Sequence, residues 1–320
     1  MELTGLIGYL IPLLTFAGIY AVLSLGLNVQ WGFAGLFNIG IAAFFAVGAY
    51  TTTILTTPPS PNYLGGFDLP FPVGLIGAMV ASGLLALLIG LVTLNLRADY
   101  LAIATIGIGE IVRLILKNEA WLTHGVRGIK GIPKPFDTLS PEVQTLVYLL
   151  IVLAIVLIVY LAIERLLRAP WGRVLRAIRE NELAASAVGK NVLRFRLEAF
   201  ILGSMIMGLG GALYAHSFGF ISPEAFDPMF ATFLVWVMLI AGGSGNNRGA
   251  ILGALVIWFI WSITGFLANR MPPELMTQAA ALRPFLIGLM LQIILLTRPE
   301  GILKEKPPSV TGDEGERRGR

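Results

Sequence analysis

The 320-residue chain has no cysteine and only two histidines, His124 and His216. The first absence excludes disulfides and thiolate metal sites. The second leaves no His-based metal cluster or Ser-His-Asp arrangement to assemble. Charge is scarce as well: Asp, Glu, Lys and Arg make up 13% of residues, against about 25% in a soluble domain. No G-x-x-x-x-G-K-[ST] run occurs, so the chain does not itself cradle nucleotide phosphates. Neither catalysis by this chain nor a bound cofactor or metal is expected. The net charge of +4 comes without a basic patch interleaved with stacking aromatics, which argues against nucleic acid as a partner.

What is present is apolar surface. The chain is 56% hydrophobic, with a mean hydropathy of +0.79. Apolar runs cover Gly5–Leu27, Phe33–Leu55, Val73–Leu96, Tyr100–Leu116, Val143–Ile163, Phe195–Ala215, Met229–Gly243, Ala250–Ala268 and Pro284–Thr297. Most approach the 20 or so residues that a helix needs to cross a bilayer core of about 30 Å. The composition therefore predicts an all-α polytopic membrane protein of about nine spans, with eight to ten as the range. The N-terminal Met-Glu-Leu-Thr lacks the basic region of a cleavable signal peptide, so the first run is expected to stay as a helix. Residues 1–303 form the expected membrane domain. Residues 304–320, rich in Pro, Gly and charge, form an expected disordered tail on the cytoplasmic side.

Eight of the 23 basic residues lie between Glu164 and Arg196: Arg165, Arg168, Arg173, Arg176, Arg179, Lys190, Arg194 and Arg196. Lys and Arg accumulate in cytoplasmic loops. With this stretch inside and the spans alternating, 16 of the 23 fall inside, six outside and Arg113 within a span. The N-terminus is then outside and the C-terminus cytoplasmic. The basic stretch also carries helix signals. Pro170 suits a first helical position, and Trp171, Val174, Leu175 and Ile178 share one helical face. Asn181 can cap a second short helix that Gly189 ends. This 170–189 hairpin needs something against its apolar face, either the membrane surface or a partner protein.

Small residues recur every fourth position at Gly74, Ala78, Ser82, Ala86 and Gly90. Gly249 and Gly253 make a GxxxG, and Ser204 and Gly208 a related pair. Such stripes allow close helix approach in lipid, here expected within the chain rather than at a dimer seam. Trp31–Gly40 and Ala241–Gly249 are too glycine-rich for robust helix. The first is either part of a path through the protein or a tight turn; the second is expected to be a cytoplasmic turn. Inside the spans, Glu110 and Arg113 are one turn apart and able to pair; a lone mid-bilayer charge costs about 2.5–3.5 kcal/mol on insertion scales. They are read either as a polar lining near a substrate carboxylate or ammonium or as a structural pair snorkelling outward near Lys117. Asn38 is deep in the second span, Arg97 and Asp99 are interfacial, and Glu198 is expected to reach the cytoplasmic interface. His124 and His216 are expected in outside loops.

Several ordered motifs carry a family resemblance. Asn38-Ile-Gly-Ile-Ala-Ala-Phe-Phe-Ala-Val-Gly-Ala-Tyr50 and Leu96-Arg-Ala-Asp-Tyr-Leu-Ala-Ile-Ala-Thr-Ile-Gly-Ile-Gly-Glu-Ile-Val-Arg113 resemble the branched-chain amino acid ABC permeases of the LivM type. So do the hairpin 172–189, Phe220-Ile-Ser-Pro-Glu224, Gly242-Gly-Ser-Gly245 and Arg298-Pro-Glu-Gly-Ile-Leu303. Asp99-Tyr100 and the Arg-Pro-Glu-Gly ending favour LivM over LivH. The resemblance implies a permease subunit of an importer in the cytoplasmic membrane. Its implied partners are a LivH-type second permease, two ATP-binding cassette ATPases, an extracytoplasmic binding protein and an amino-acid substrate. It implies Arg179, Glu182, Ala184, Ala185 and Gly189 as the residues coupling to the ATPase. Asn38, Tyr100, Thr105, Glu110 and Arg113 are expected along the translocation path. Two departures stand out. Leu183 occupies the Glu position of the E-A-A-x-x-x-G coupling motif, with Glu182 one residue early, and Leu122-Thr-His-Gly-Val-Arg-Gly128 replaces T-G-G-x-x-G. The rival readings are an ion-coupled carrier working alone through Glu110, Arg113 and Asp99, and a same-family permease for urea or short amides.

Overall fold

The computed structural model describes residues 2–61, 63–268 and 272–305; within these, the side chains at 2–7, 98, 267, 268 and 273–283 are left aside. Helices dominate. They are α1 (Glu2–Leu27), α2 (Ile41–Thr56), α3 (Phe71–Thr93), α4 (Ala98–Asn118), α5 (Ala120–Thr123), α6 (Pro141–Arg168), α7 (Pro170–Glu180), α8 (Glu182–Ala187), α9 (Val192–Phe218), α10 (Leu234–Gly242), α11 (Asn247–Ala268) and α12 (Pro273–Thr297). The only described strands, β1 (Ile129–Lys130) and β2 (Phe220–Ile221), make one two-residue antiparallel pair. Each apolar run of the sequence contains a helix, but the one expected over Phe33–Leu55 begins only at Ile41, after a non-helical break. Five helices are long and apolar enough to cross a membrane: 8–33, 71–93, 141–168, 192–218 and 247–266. Three further apolar segments, 41–56, 229–242 and 284–297, are shorter. The remaining one, α4, has the length but carries Asp99, Glu110, Arg113 and Lys117.

Small residues set the packing. The stripe on α3 is buried against α2 and α9. Ser82 donates to the Phe44 carbonyl at 3.0 Å, and a Cβ on Gly48 would overlap the backbone of Gly208. Gly26 and Gly203 bring α1 and α9 together in the same way: a Cβ on Gly26 would stand 2.7 Å from the Gly203 carbonyl. Gly249 and Gly253 press on Gly242 and hold α11 to α10. All these seams lie within one chain. With no hydrophobic drive between helices in lipid, backbone proximity and dispersion carry the association.

Two helices are broken. After Leu27 the first continues as a π-helical turn, Asn28–Phe33, and then leaves helical geometry until α2 begins at Ile41. Gly35 takes φ +68° in that break, a conformation cheap only for glycine. A second π-helical turn, Met229–Phe233, leads into α10. The Ala241–Gly249 stretch is a turn between α10 and α11, with Gly243 at φ +113° and Gly245 at φ +81°. The Arg298–Leu303 motif folds onto it: Ile302 and Leu303 donate to the carbonyls of Ala241 and Gly242, each at 2.9 Å. Gly301 lies so close to Gly243 that a Cβ there would meet its backbone at 2.5 Å.

The chain continues in this ordered way through Lys304 and Glu305, two residues into the expected tail; residues 306–320 lie outside the described region. His216 is a correction to the expected loop position. It is fully buried in the last turn of α9, where its ring nitrogens bond Thr52 Oγ1 at 2.9 Å and the Pro133 carbonyl at 2.7 Å. That tie fastens the 129–135 connection to the helix ends. His124 does sit in a connection, at φ +61°.

Candidate functional site

A cavity of about 780 Å³ opens beside the first helix break. Its wall is built from the break itself (Trp31, Phe37, Ile39, Ala42), from α4 (Ile106, Gly109, Glu110) and from 228–240. Ser244, Leu291, Leu295 and Pro299 complete it. Non-helical backbone at membrane depth persists only where protein or a wet cavity satisfies it, and here the chain's own side chains do so. Trp31, Phe37 and Trp236 form an aromatic cluster with ring centroids 5.1–5.4 Å apart. Glu110 is the one charged residue in the described lining.

Buried amides hold the break open. Asn38 donates to Gln30 Oε1 at 2.8 Å, and Gln30 donates to the Phe200 carbonyl and Ser204 Oγ at 2.8 and 3.0 Å. Asn38 Oδ1 accepts from Gly40 N, the Asn38 carbonyl accepts from Trp236 Nε1, and Ile39 N donates to Thr105 Oγ1 at 3.0 Å. Thr232 Oγ1 accepts from Ala42 N at 3.1 Å. Every one of these groups would otherwise be an unsatisfied donor or acceptor in a dry interior.

Of the five path residues expected from sequence, only Glu110 lines the cavity. Asn38 and Thr105 are fully buried and shape its wall from behind. Arg113 holds Glu110 in a two-pronged pair, Nε to Oε2 at 2.9 Å and Nη2 to Oε1 at 2.6 Å, and also lies 3.5 Å from Glu224, which Lys117 contacts at 3.0 Å. Tyr100 is 62% exposed on α4 and is not part of the cavity lining. Gln30, Thr232 and Trp236 were not anticipated. The signal for Gln30 was available, since an amide next to a glycine-rich interruption of an apolar run has to find internal partners.

The 170–189 segment forms the two short helices expected. Ala169 caps α7 with Pro170 at its start, Asn181 Oδ1 accepts from Ala184 N at 2.9 Å, and Gly189 ends α8 at φ +77°. The expected choice of cover for its apolar face is corrected: Leu175 and Ile178 are buried against the chain's own helices. Trp171 donates to Glu198 at 2.9 Å, and Glu198 also takes Arg194. Ala185, expected on the docking face, is buried within the chain. Ala184 is exposed, as are Leu183 at 83% and Val188 at 73%. Glu182 pairs with Arg196 at 2.8 Å. Arg179 points inward too. It bonds the Gly32 carbonyl at the end of the π-helical turn and both carboxylate oxygens of Glu305, at 3.0 and 2.9 Å.

Comparison with known proteins agrees with this architecture. A family model described as the permease component of a branched-chain amino acid transport system matches residues 9–295. LivM, the permease protein of the high-affinity branched-chain amino acid transport system of Escherichia coli strain K12, is 33% identical over 97% of this chain and 73% of its own length. The corresponding LivH of Salmonella typhimurium strain LT2 is 22% identical, covering 90% of this chain and 92% of itself. The guanosine ABC transporter permease NupQ of Bacillus subtilis strain 168 is 26% identical, covering 82% and 84%. No solved structure matches the chain. Helices of membrane-crossing length, a break that opens on a cavity and a sequence match over nearly the whole chain lead to one conclusion: the chain belongs to the branched-chain amino acid transport permease family, and within it resembles the LivM type.

Proposed function

We propose that this chain is the LivM-type permease subunit of an ATP-driven importer for branched-chain or similarly apolar amino acids. It works in the cytoplasmic membrane with a LivH-type second permease, two ATP-binding cassette ATPases and an extracytoplasmic binding protein. The observation that carries this reading is the cavity. Its wall is aromatic and aliphatic, with a single carboxylate at one side. An aliphatic side chain gains from leaving water for such a wall, and Glu110, charge-balanced by Arg113, offers an acceptor to an ammonium group. Specific sites combine a mostly apolar lining with a few placed polar groups.

Transport then proceeds by alternating access. The ATPases close on ATP, the exposed residues at α8 and its C-terminal end (Leu183, Ala184, Val188) move with them, and the cavity changes the side to which it opens. The ion-coupled carrier is less well supported. Its proposed proton or ion group, Glu110, is already held by two bonds from Arg113, and no free carboxylate lines the described cavity. A urea or short-amide permease would have little use for so apolar a wall.

The test is reconstitution of the chain with a LivH-type second permease, two ATP-binding cassette ATPases and an extracytoplasmic binding protein. Radiolabelled leucine should accumulate only with ATP and binding protein present, and unlabelled isoleucine and valine should compete. Competition by guanosine or urea instead would reassign the substrate. Uptake by this chain alone on an ion gradient would overturn the ABC reading.

A further inference from the structure

Three wall segments of the cavity share one end of the molecule: the 28–33 turn with Trp31, the 243–249 turn with Ser244, and the segment after α12 with Pro299. They are bonded to one another through a single cluster. Asn28 Oδ1 accepts from Gly245 N at 2.8 Å, and Asn28 Nδ2 donates to Asn247 Oδ1 at 2.9 Å. Glu305 lies against Gly245, where a Cβ would come within 2.8 Å of its carboxyl carbon. Arg179 is the only described hairpin side chain that enters this cluster by hydrogen bond, and it reaches two of the three segments at once. Its stem packs over Gly35, whose Cβ would sit 3.1 Å from Arg179 Cγ.

The chemistry suits a releasable tie. The last carbonyls of a helix lack intrahelical donors and carry the negative end of its dipole. A guanidinium supplies both the donors and the charge, and its planar fork matches a carboxylate. Arg179 and Glu305 are about a quarter and a third exposed, 24% and 31%, so water can replace either partner when the pair separates. A buried pair would resist that exchange.

We infer that the Arg179–Glu305 pair is a latch on this end of the cavity. It transmits displacement of the α7–α8 hairpin to the floor formed by Trp31, Ser244 and Pro299, and its opening gives the cavity access to the hairpin's side of the membrane. Arg179 is thus a positioning residue acting within its own chain rather than a contact to the ATPase. This deepens the proposed function and rests on it for the source of the displacement, while the latch itself is testable without transport.

This chain has no cysteine of its own, so a reporter introduced into it is the one labelling site within the chain. A single Ser244→Cys reporter is placed in the assembled transporter, in vesicles that expose the hairpin, and labelled with a membrane-impermeant maleimide without ATP. Glu305→Gln or Arg179→Gln should speed labelling roughly threefold or more, the size expected from losing a partly exposed charged pair. The swapped pair Arg179→Glu/Glu305→Arg should bring the rate part of the way back. If Ser244→Cys does not insert, Ile240→Cys, also in the wall, reports the same opening. An unchanged labelling rate in both single variants overturns the latch. In the reconstituted system, Glu305→Gln should lower uptake per ATP hydrolysed while substrate-stimulated hydrolysis persists; equal loss of both would overturn it as well. Failure of the unaltered complex to transport with ATP would reject the function and leave the labelling result to judge the latch.

Discussion

At the scale of single residues, the Glu110–Arg113 pair is the most exposed gamble in the structure. Arg113 is largely enclosed, with 20% of its side chain accessible, while Glu110 retains 41% toward the cavity. Their separation of three residues on α4 lets one edge of the guanidinium, Nε and Nη2, meet both carboxylate oxygens. The neighbouring Glu224 makes the two deletions unequal. Glu110→Gln leaves Arg113 a second carboxylate at 3.5 Å, whereas Arg113→Gln leaves Glu110 facing the cavity with no direct counter-charge. The second should therefore be the more damaging. Combining them removes both charges, so the double variant should lose less than the sum of the two, with a coupling energy of about 0.5–3 kcal/mol as for other contacting pairs. Thermal unfolding in detergent and expression-normalised uptake both measure it, and strictly additive losses would show that the two do not act as a unit.

At the scale of elements, the proposed docking of an ATPase on the hairpin is constrained by which of its faces are free. Leu175 and Ile178 are covered by its own chain, so on the proposed function contact with a partner falls to the exposed positions, among them Leu183, Ala184 and Val188. Ala184→Trp should leave the chain inserted and folded, because the position is open, yet abolish ATPase association in a co-purification assay. Ala185→Trp would instead overpack a buried site, where inserted bulk costs about 1–3 kcal/mol, and should unfold the hairpin. Gly189→Val should strain the αL end of α8 by about 1–2 kcal/mol without a clash, since no atom lies near the added Cβ. If Ala184→Trp retains the ATPase at normal yield, docking lies elsewhere. The hairpin also marks what sequence reasoning reaches. Pro170, Asn181 and Gly189 specify two short helices locally, and the glycines of 31–40 and 241–249 specify breaks, because caps and φ preferences act over a few residues. Amphipathicity says that a face must be covered but not by what. The cover of Leu175 and Ile178, the inward turn of Arg179 and the docking of Arg298–Leu303 on the 241–243 turn all depend on contacts across long sequence separations. Tyr100 and His216 fail for a related reason: a shift of a residue or two around a helix moves a side chain from wall to surface or from loop to core.

At the scale of the whole molecule, the contacts sort the connections into two ends. Gly32–Gly35, the α7–α8 hairpin, the 243–249 turn and 298–305 are bonded together at one end. At the other, β1 pairs with β2, His216 holds Pro133, and Glu224 gathers Arg113 and Lys117. Between them α3 and α6 present outward-facing rows, among them Leu84, Leu88 and Val92 on one and Leu150, Leu157 and Leu161 on the other; exposed apolar surface of this extent is stable in lipid rather than in water. By the alternation of spans read from the sequence, 16 of the 23 basic residues are expected on the hairpin's side, six on the other and Arg113 within a span. Lys and Arg near short loops resist translocation during insertion, so the richer end stays inside. Cysteines introduced singly at Ser186 on the hairpin and Thr138 on the opposite end, both exposed, should therefore react from opposite faces of the membrane. In right-side-out cells an impermeant maleimide should label Thr138→Cys and spare Ser186→Cys until the membrane is opened or everted. Labelling of both from one face would contradict the alternation of spans, and labelling of Ser186→Cys alone from outside would invert the molecule and place its hairpin beyond the reach of any cytoplasmic ATPase.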